Sequence, residues 1–385
     1  MFKKSLAAVA VLGAFAATSF AADVTLYGKV DMGVQYKNTE TTAFNGVEEN
    51  KDAFTLDSGV GSASRIGLKA TEDLGNGYKV SFKLEKGFKA DGTPDVEKDK
   101  DSRFFDRESS LSLSSDWGTL MAGRFGAFSA AASDTDIVFS RVDSFDGGHA
   151  LGELVMLGKQ DNAIAYLSPK FAGFQAAAMY SLKSDATEDL ENVSYREGHR
   201  DADRYAGVAL TYDIGALQTA LSYEVQMRST HEQNLDDGKM IVFGGNYDFD
   251  MFQLYAAGQY FTGMEDVIGF SDAKYADTIM LDSGAIDGYG LHVGTNFDAL
   301  GGHFGAAVYY VDAKADFADA DDADGQYFGV AGRYIYDLSK RTNIRTSLSY
   351  SQKTWDKVGK FDAKSNNSDF EQNTYVAKVS LTHNF

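Results

Sequence analysis

Cysteine is absent from the 385 residues, and proline occurs only at Pro94 and Pro169. The first absence excludes a disulfide scaffold and any thiolate nucleophile or ligand. The second leaves long stretches of backbone free to donate in a sheet. Past the N-terminal segment no apolar run approaches the roughly 18 residues that a membrane-spanning helix needs. Basic charge is in deficit, with 36 Lys and Arg against 56 Asp and Glu. Such a chain does not bind nucleic acid through a basic surface.

Glycine and aromatics are plentiful: 39 Gly, 21 Tyr and 27 Phe. Apolar types make up 44 % of residues, too many for a disordered chain. With few prolines, this suits long strands and tight turns. The N-terminus "MFKKSLAAVAVLGAFAATSFAAD" has Lys3 and Lys4, an apolar run from Leu6 to Ala17, and Ser19-Phe20-Ala21 as a small-x-small site. It reads as a secretory signal peptide over residues 1–21, with one domain over 22–385. Cleavage removes two of the 36 basic residues and takes the net charge from −20 to −22.

Alternation dominates the rest. In "VTLYGKVDMGVQYK" the even positions run Val24, Leu26, Gly28, Val30, Met32, Val34, Tyr36, and the odd ones Thr25, Tyr27, Lys29, Asp31, Gly33, Gln35, Lys37. A soluble strand has a mode of about 5–6 residues, whereas a tilted membrane strand needs about 9–11. "SRIGLKATEDLGNGYKVSFKLEKGF" repeats the pattern around an Asn-Gly hairpin signal. The pattern gives about sixteen strands, from 24–37 to 374–385. Short turns, as at Asp73–Gly77, alternate with long polar stretches such as 38–62, 89–103, 182–202 and 351–373. That asymmetry belongs to a transmembrane antiparallel β-barrel, whose apolar register meets lipid and whose polar register meets a water-filled lumen. A soluble sandwich also alternates, but here nearly every strand shows the same long alternation, and the polar registers include Lys29, Asp31, Arg65, Lys69, Lys79, Lys83, Glu85 and Arg345. Aromatics near strand ends, with Trp117 in a turn, would form the interfacial girdles.

The motifs "DVTLYGKVDMGV", "SRIGLKATEDLGNGYKVSFKLEKGF", "FDRESSLSLSSDWGTLMAGRF" and "DNAIAYLSPKFAGF", with the terminal Phe strand, resemble the Gram-negative general (non-specific) porins over essentially all of the chain beyond the signal segment. The resemblance implies an outer-membrane location, sixteen antiparallel strands, a homotrimer and passive diffusion of small hydrophilic solutes, with no cofactor. It implies that the third external loop folds into the lumen, where its acids face a basic wall. Ala127–Leu157 fills that slot, with Asp134, Asp136, Asp143 and Asp146 as candidate acids and Glu153 as a weaker one. The basic side is carried over to Lys29, Arg65, Lys69, Arg107, Arg124 and Lys159. Arg107 shares a register with Leu111 and Leu113, so either a bulge intervenes or it points elsewhere. A terminal aromatic strand implies an assembly signal at Tyr375 and Phe385, read by the outer-membrane assembly machinery. Lipopolysaccharide is the further expected partner, through external acids and divalent cations.

Net charge and the acidic loop lean the expectation to cations; the basic waist pulls the other way. A substrate-selective channel for sugar or phosphate is the alternative, and Tyr27 is the one lumen aromatic that suits a sugar. An outer-membrane barrel enzyme would need a Ser/His or Asp/His constellation, and none of the six His sits beside such a motif or has metal-pair spacing. "DADDADG" at 319–325 fails as a calcium loop, because Ala320 and Ala331 fall where ligands are required. Gly59-Val60-Gly61 precedes no helix, so it is not a phosphate loop.

Overall fold

The computed structural model describes residues 24–43, 46–93, 103–130, 133–145, 154–185, 197–229, 236–264, 267, 285–316, 322–356 and 369–385. The expected signal peptide lies outside them. The strands are β1 (Thr25–Thr42), β2 (Glu48–Ser58), β3 (Arg65–Gly75), β4 (Tyr78–Gly87), β5 (Glu108–Ser115), β6 (Gly118–Gly126), β7 (Lys159–Leu167), β8 (Phe174–Ser181), β9 (Arg204–Ile214), β10 (Leu217–Met227), β11 (Gly238–Asp248), β12 (Gln253–Met264), β13 (Ala285–Ala299), β14 (Gly302–Asp316), β15 (Ala323–Ser339), β16 (Thr342–Trp355) and β17 (Phe370–Asn384). One helical turn, α1 (Phe139–Val142), lies between β6 and β7.

Neighbouring strands pair antiparallel. β17 returns to β1 over the register Lys29↔Asn384 to Thr42↔Glu371 and closes the barrel. Closure satisfies the backbone groups that lipid cannot and removes the free edges. β2 pairs with the upper part of β1, from Met32↔Ser58 to Thr42↔Glu48. β3 pairs with its lower part, from Lys29↔Arg65 to Thr25↔Lys69. They are two halves of one stave, interrupted at 59–64, so 17 segments make a sixteen-stranded barrel.

The polar stretch 38–62 is therefore largely strand rather than loop. β1 runs on to Thr42 and β2 starts at Glu48. Above the hydrocarbon both faces are wet, so the backbone ladder continues while the polarity pattern disappears. The stretch 351–373 behaves alike at its ends, since β16 reaches Trp355 and β17 starts at Phe370.

The outward register carries Leu111, Ile164, Val208, Leu221, Phe243, Leu291, Val308, Leu348 and Leu381, all exposed. In water this would be a liability; in a bilayer it is the lipid face. Aromatic pairs mark its lower rim at the short turns. Trp117 stacks on Tyr166 at 6.2 Å, Phe174 on Tyr212 at 4.3 Å, and Phe297 on Phe304 at 5.3 Å. The terminal strand keeps the same parity: Tyr375, Val379, Leu381 and Phe385 are exposed, whereas Ser380 and Thr382 are buried inside.

The buried apolar cluster lies inside the barrel. Phe128, Val138, Phe139, Val142, Phe145 and Leu154 of the β6–β7 loop pack on inward residues such as Tyr205, Val242, Phe261, Ile286, Ala307 and Tyr309. Burying the Phe139 side chain alone stabilises the loop by about 1.5–3 kcal/mol. On β9 to β15 the inward positions that meet this cluster are therefore small or apolar, as at Ala209, Ala220, Val242, Ala307 and Ala331.

Candidate functional site

The β6–β7 loop is fixed to one side of the lumen by polar pins as well as by its core. The Arg141 guanidinium gives Asp213 on β9 two bonds of 2.9 Å. Asn246 on β11 donates to the Arg141 carbonyl at 2.8 Å. Tyr309 on β14 donates to Asp143 at 2.9 Å, and the Ser144 N–H donates to His292 on β13 at 3.3 Å. Arg333 on β15 donates to the Ser144 carbonyl at 2.9 Å and covers the Phe145 ring at 4.6 Å. At the loop root, buried Glu224 on β10 accepts from Ser129 Oγ at 3.1 Å and Tyr205 at 2.6 Å.

The opposite wall carries the charges. Glu85 is the hub: Arg107 Nε donates to it at 2.7 Å, Tyr27 at 2.9 Å, and Arg65 Nε stands 3.7 Å away. Lys83 bridges Glu108 on the wall at 2.9 Å and Asp134 on the loop at 2.6 Å. Arg124 donates to Asp161 at 2.7 Å and to the Asp106 carbonyl at 2.8 Å. Lys69 Nζ lies 5.3 Å from the Tyr27 ring centre. Lys29 donates to Ser62 at 2.9 Å. Lys29, Lys69 and Lys159 have no carboxylate partner among the described residues. Cavities of about 550 and 490 Å³ border this wall, and Lys69, Lys83 and Asp134 line both.

Above the waist Arg103 pairs with Asp161 at 2.6 Å and with Asp185. Burial alone would pull the Arg103 guanidinium down, but the two carboxylates outweigh it and hold it above its ordinary value.

The wall therefore gathers Lys29, Arg65, Lys69, Arg107, Arg124 and Lys159 on β1, β3 and the upper ends of β5, β6 and β7. The parity problem of Arg107 disappears because it precedes β5, in an irregular stretch, and turns its guanidinium to Glu85. A register shift between Gly123 and Phe125 sits at Arg124. Asp134 faces the wall. Asp136 is taken up by α1, where it accepts the Ser140 N–H at 3.2 Å. Asp143 is buried against β14 and stands apart from the basic cluster. Asp146 and Glu153 lie outside the described residues. The alternation of β4 puts Lys83 and Glu85 in the inward register without marking them as site residues, and it gives no sign of Glu108 or Asp161.

A closed barrel with a lipid face, a charged lumen wall and an inserted loop defines an outer-membrane diffusion channel. The family model described as Gram-negative porin matches residues 7–354. The chain belongs to the Gram-negative porin family. It is 30 % identical to an outer membrane porin protein of Bordetella pertussis, over 91 % of this chain and 94 % of that one. It is 27 % identical to outer membrane porin protein 32 of Delftia acidovorans, over 90 % and 89 %. Among solved structures, the anion-selective porin from Comamonas acidovorans superposes with a TM-score of 0.64 at 22 % identity, covering 95 % of this chain and all of that one. The protein is an outer-membrane pore for passive diffusion.

Proposed function

We propose that this pore favours small hydrophilic anions at its waist, reversing the lean to cations that net charge suggested. The observation that carries the reading is the set Lys29, Lys69 and Lys159, without carboxylate partners among the described residues. Glu85, Glu108 and Asp161 are buried in the wall and already matched to cations. Asp143 is docked away from the path. Charges on distant external loops are screened beyond about 8–10 Å, so the waist outweighs the total. The Comamonas acidovorans porin, which shares the fold, is itself described as anion-selective.

In this reading Arg65, Arg107 and Arg124 form the fixed part of the basic wall and Asp134 with Asp136 the loop side. The chain acts as a channel rather than an enzyme. It is exported by the signal peptide over residues 1–21 and assembles as a homotrimer. Tyr375 and Phe385 serve as the assembly signal, and lipopolysaccharide surrounds the external rim. Replacing Lys29, Lys69 and Lys159 by Gln tests the central point in planar bilayers. A unit charge about 8 Å from the ion path contributes about 0.5 kcal/mol in water. Each loss should lower the anion/cation permeability ratio severalfold, and an unchanged ratio in the triple variant refutes the assignment. Saturable block by phosphate or sugar would indicate a substrate-selective site instead.

A further inference from the structure

We propose that residues 59–64 form an inward ledge, a second narrowing on the wall of β1, β16 and β17, and that Ser62 holds Lys29 in the conducting path. The inference rests on the diffusion-pore reading, but its first test is independent of the sign of selectivity.

The stave made of β2 and β3 leaves its ladder between Ser58 and Arg65. Six consecutive residues, Gly59-Val60-Gly61-Ser62-Ala63-Ser64, are small or β-branched and lie in neither segment. They fold over the inner faces of β1, β16 and β17, held by Asp31, which is fully buried. Its carboxylate accepts the Gly61 N–H at 2.9 Å, the Ser380 hydroxyl at 3.0 Å and the Thr382 hydroxyl at 2.5 Å. Its backbone carbonyl accepts the Gly59 N–H at 2.9 Å, and its N–H donates to Ser64 Oγ at 3.0 Å. One aspartate thus ties down both ends and the middle of the break, replacing the lost ladder bonds. Gly61 lies flat on the wall; a Cβ there would come within 3.0 Å of Asp31 Oδ2 and 2.9 Å of Arg345 Cδ.

The ledge then fixes two lumen cations with uncharged groups. Lys29 donates to Ser62 Oγ at 2.9 Å, and Arg345 Nη1 reaches the Gly61 carbonyl at 3.4 Å. A lysine stem is long and flexible. Tethered to a hydroxyl, Lys29 is held without a carboxylate and does not swing to one on the wall. Ser62 is a positioning residue: it acts on passing ions through Lys29.

The chain has no cysteine, so Ser62→Cys introduces a single thiol. A bulky uncharged methanethiosulfonate should reduce single-channel conductance by roughly a third or more, because the ledge borders the narrow path. The same reagent on Leu348→Cys, on the lipid face, should leave the current unchanged. Complete labelling of Ser62→Cys with unaltered conductance, or a thiol that does not react from either side, overturns the ledge. Ser62→Ala should shift the reversal potential in a salt gradient towards that of Lys29→Gln, and Ser62→Thr should restore it. No shift for Ala, or equal shifts for Ala and Thr, overturns the positioning role. If the parent channel prefers cations, the anion reading fails, while the conductance loss on labelling still decides the ledge.

Discussion

The last residue offers the sharpest test of how the barrel closes. Gly28 and Phe385 form the final pair between β1 and β17, with Gly28 N–H to Phe385 O at 3.1 Å and the return bond at 3.0 Å. A Cβ at Gly28 would stand 2.7 Å from the Arg65 carbonyl oxygen and closer still to Phe385 Cζ. Gly28→Ala therefore displaces the ring, the terminal backbone pair, or both. Two hydrogen bonds contribute about 1 kcal/mol each net, and a ring left 41 % exposed holds roughly another 1–1.5 kcal/mol of apolar burial. The variant should lose about 2–4 kcal/mol. The assay is the temperature at which the folded band is lost in detergent gels, with Phe385→Ala and the double variant completing a cycle. Part of the Gly28→Ala cost is the clash with the ring, so it should shrink by about 1–2 kcal/mol when Phe385 is already Ala. Costs that add within about 0.5 kcal/mol, or a Gly28→Ala barrel as stable as the parent, would refute the seating of Phe385 on Gly28.

Glu85→Gln leaves Arg65 and Arg107 without their shared carboxylate, so reversal potentials should move further towards chloride, by a severalfold change in permeability ratio. Arg141→Ala removes the two-pronged bond to Asp213 and should raise current noise and sub-state frequency in single-channel records, with little change in barrel stability. Phe139→Ala opens a void in the fully buried packing between loop and wall; about 3–5 kcal/mol of local stabilisation is lost, read as faster proteolysis of the loop while the barrel stays intact.

The barrel itself was legible because lipid and water sit on opposite faces of most staves. β1, β4 and β17 announce themselves by long alternation, broken in β17 at Val376 and His383. β14, "GHFGAAVYYVDAKAD", does not, and the reason is the loop. Ala307, Tyr309 and Val311 point inward to meet apolar loop residues, so both registers turn apolar. The same fact hides the loop's own docking, since Phe128, Val138 and Phe139 follow no period in the sequence. The ledge was invisible for a different reason: its small residues give no pattern, and Asp31 that holds it reads as one more lumen charge. At the site, position-by-position carry-over names cations that lie together on one wall, but not the carboxylates beside them. Glu85 and Glu108 are set by cross-strand neighbours, a relation that sequence spacing does not display. Asp143 went astray because an acid in an inserted loop has two walls to choose from, and Tyr309 sits on the far one.

The most direct measurement is the reversal potential of the unmodified protein, reconstituted in a planar bilayer under a potassium chloride gradient. A waist dominated by Lys29, Lys69 and Lys159 predicts a potential displaced towards the chloride equilibrium value, with the displacement shrinking as salt rises on both sides and screens those charges. A potential displaced towards the potassium value at low salt would contradict the account.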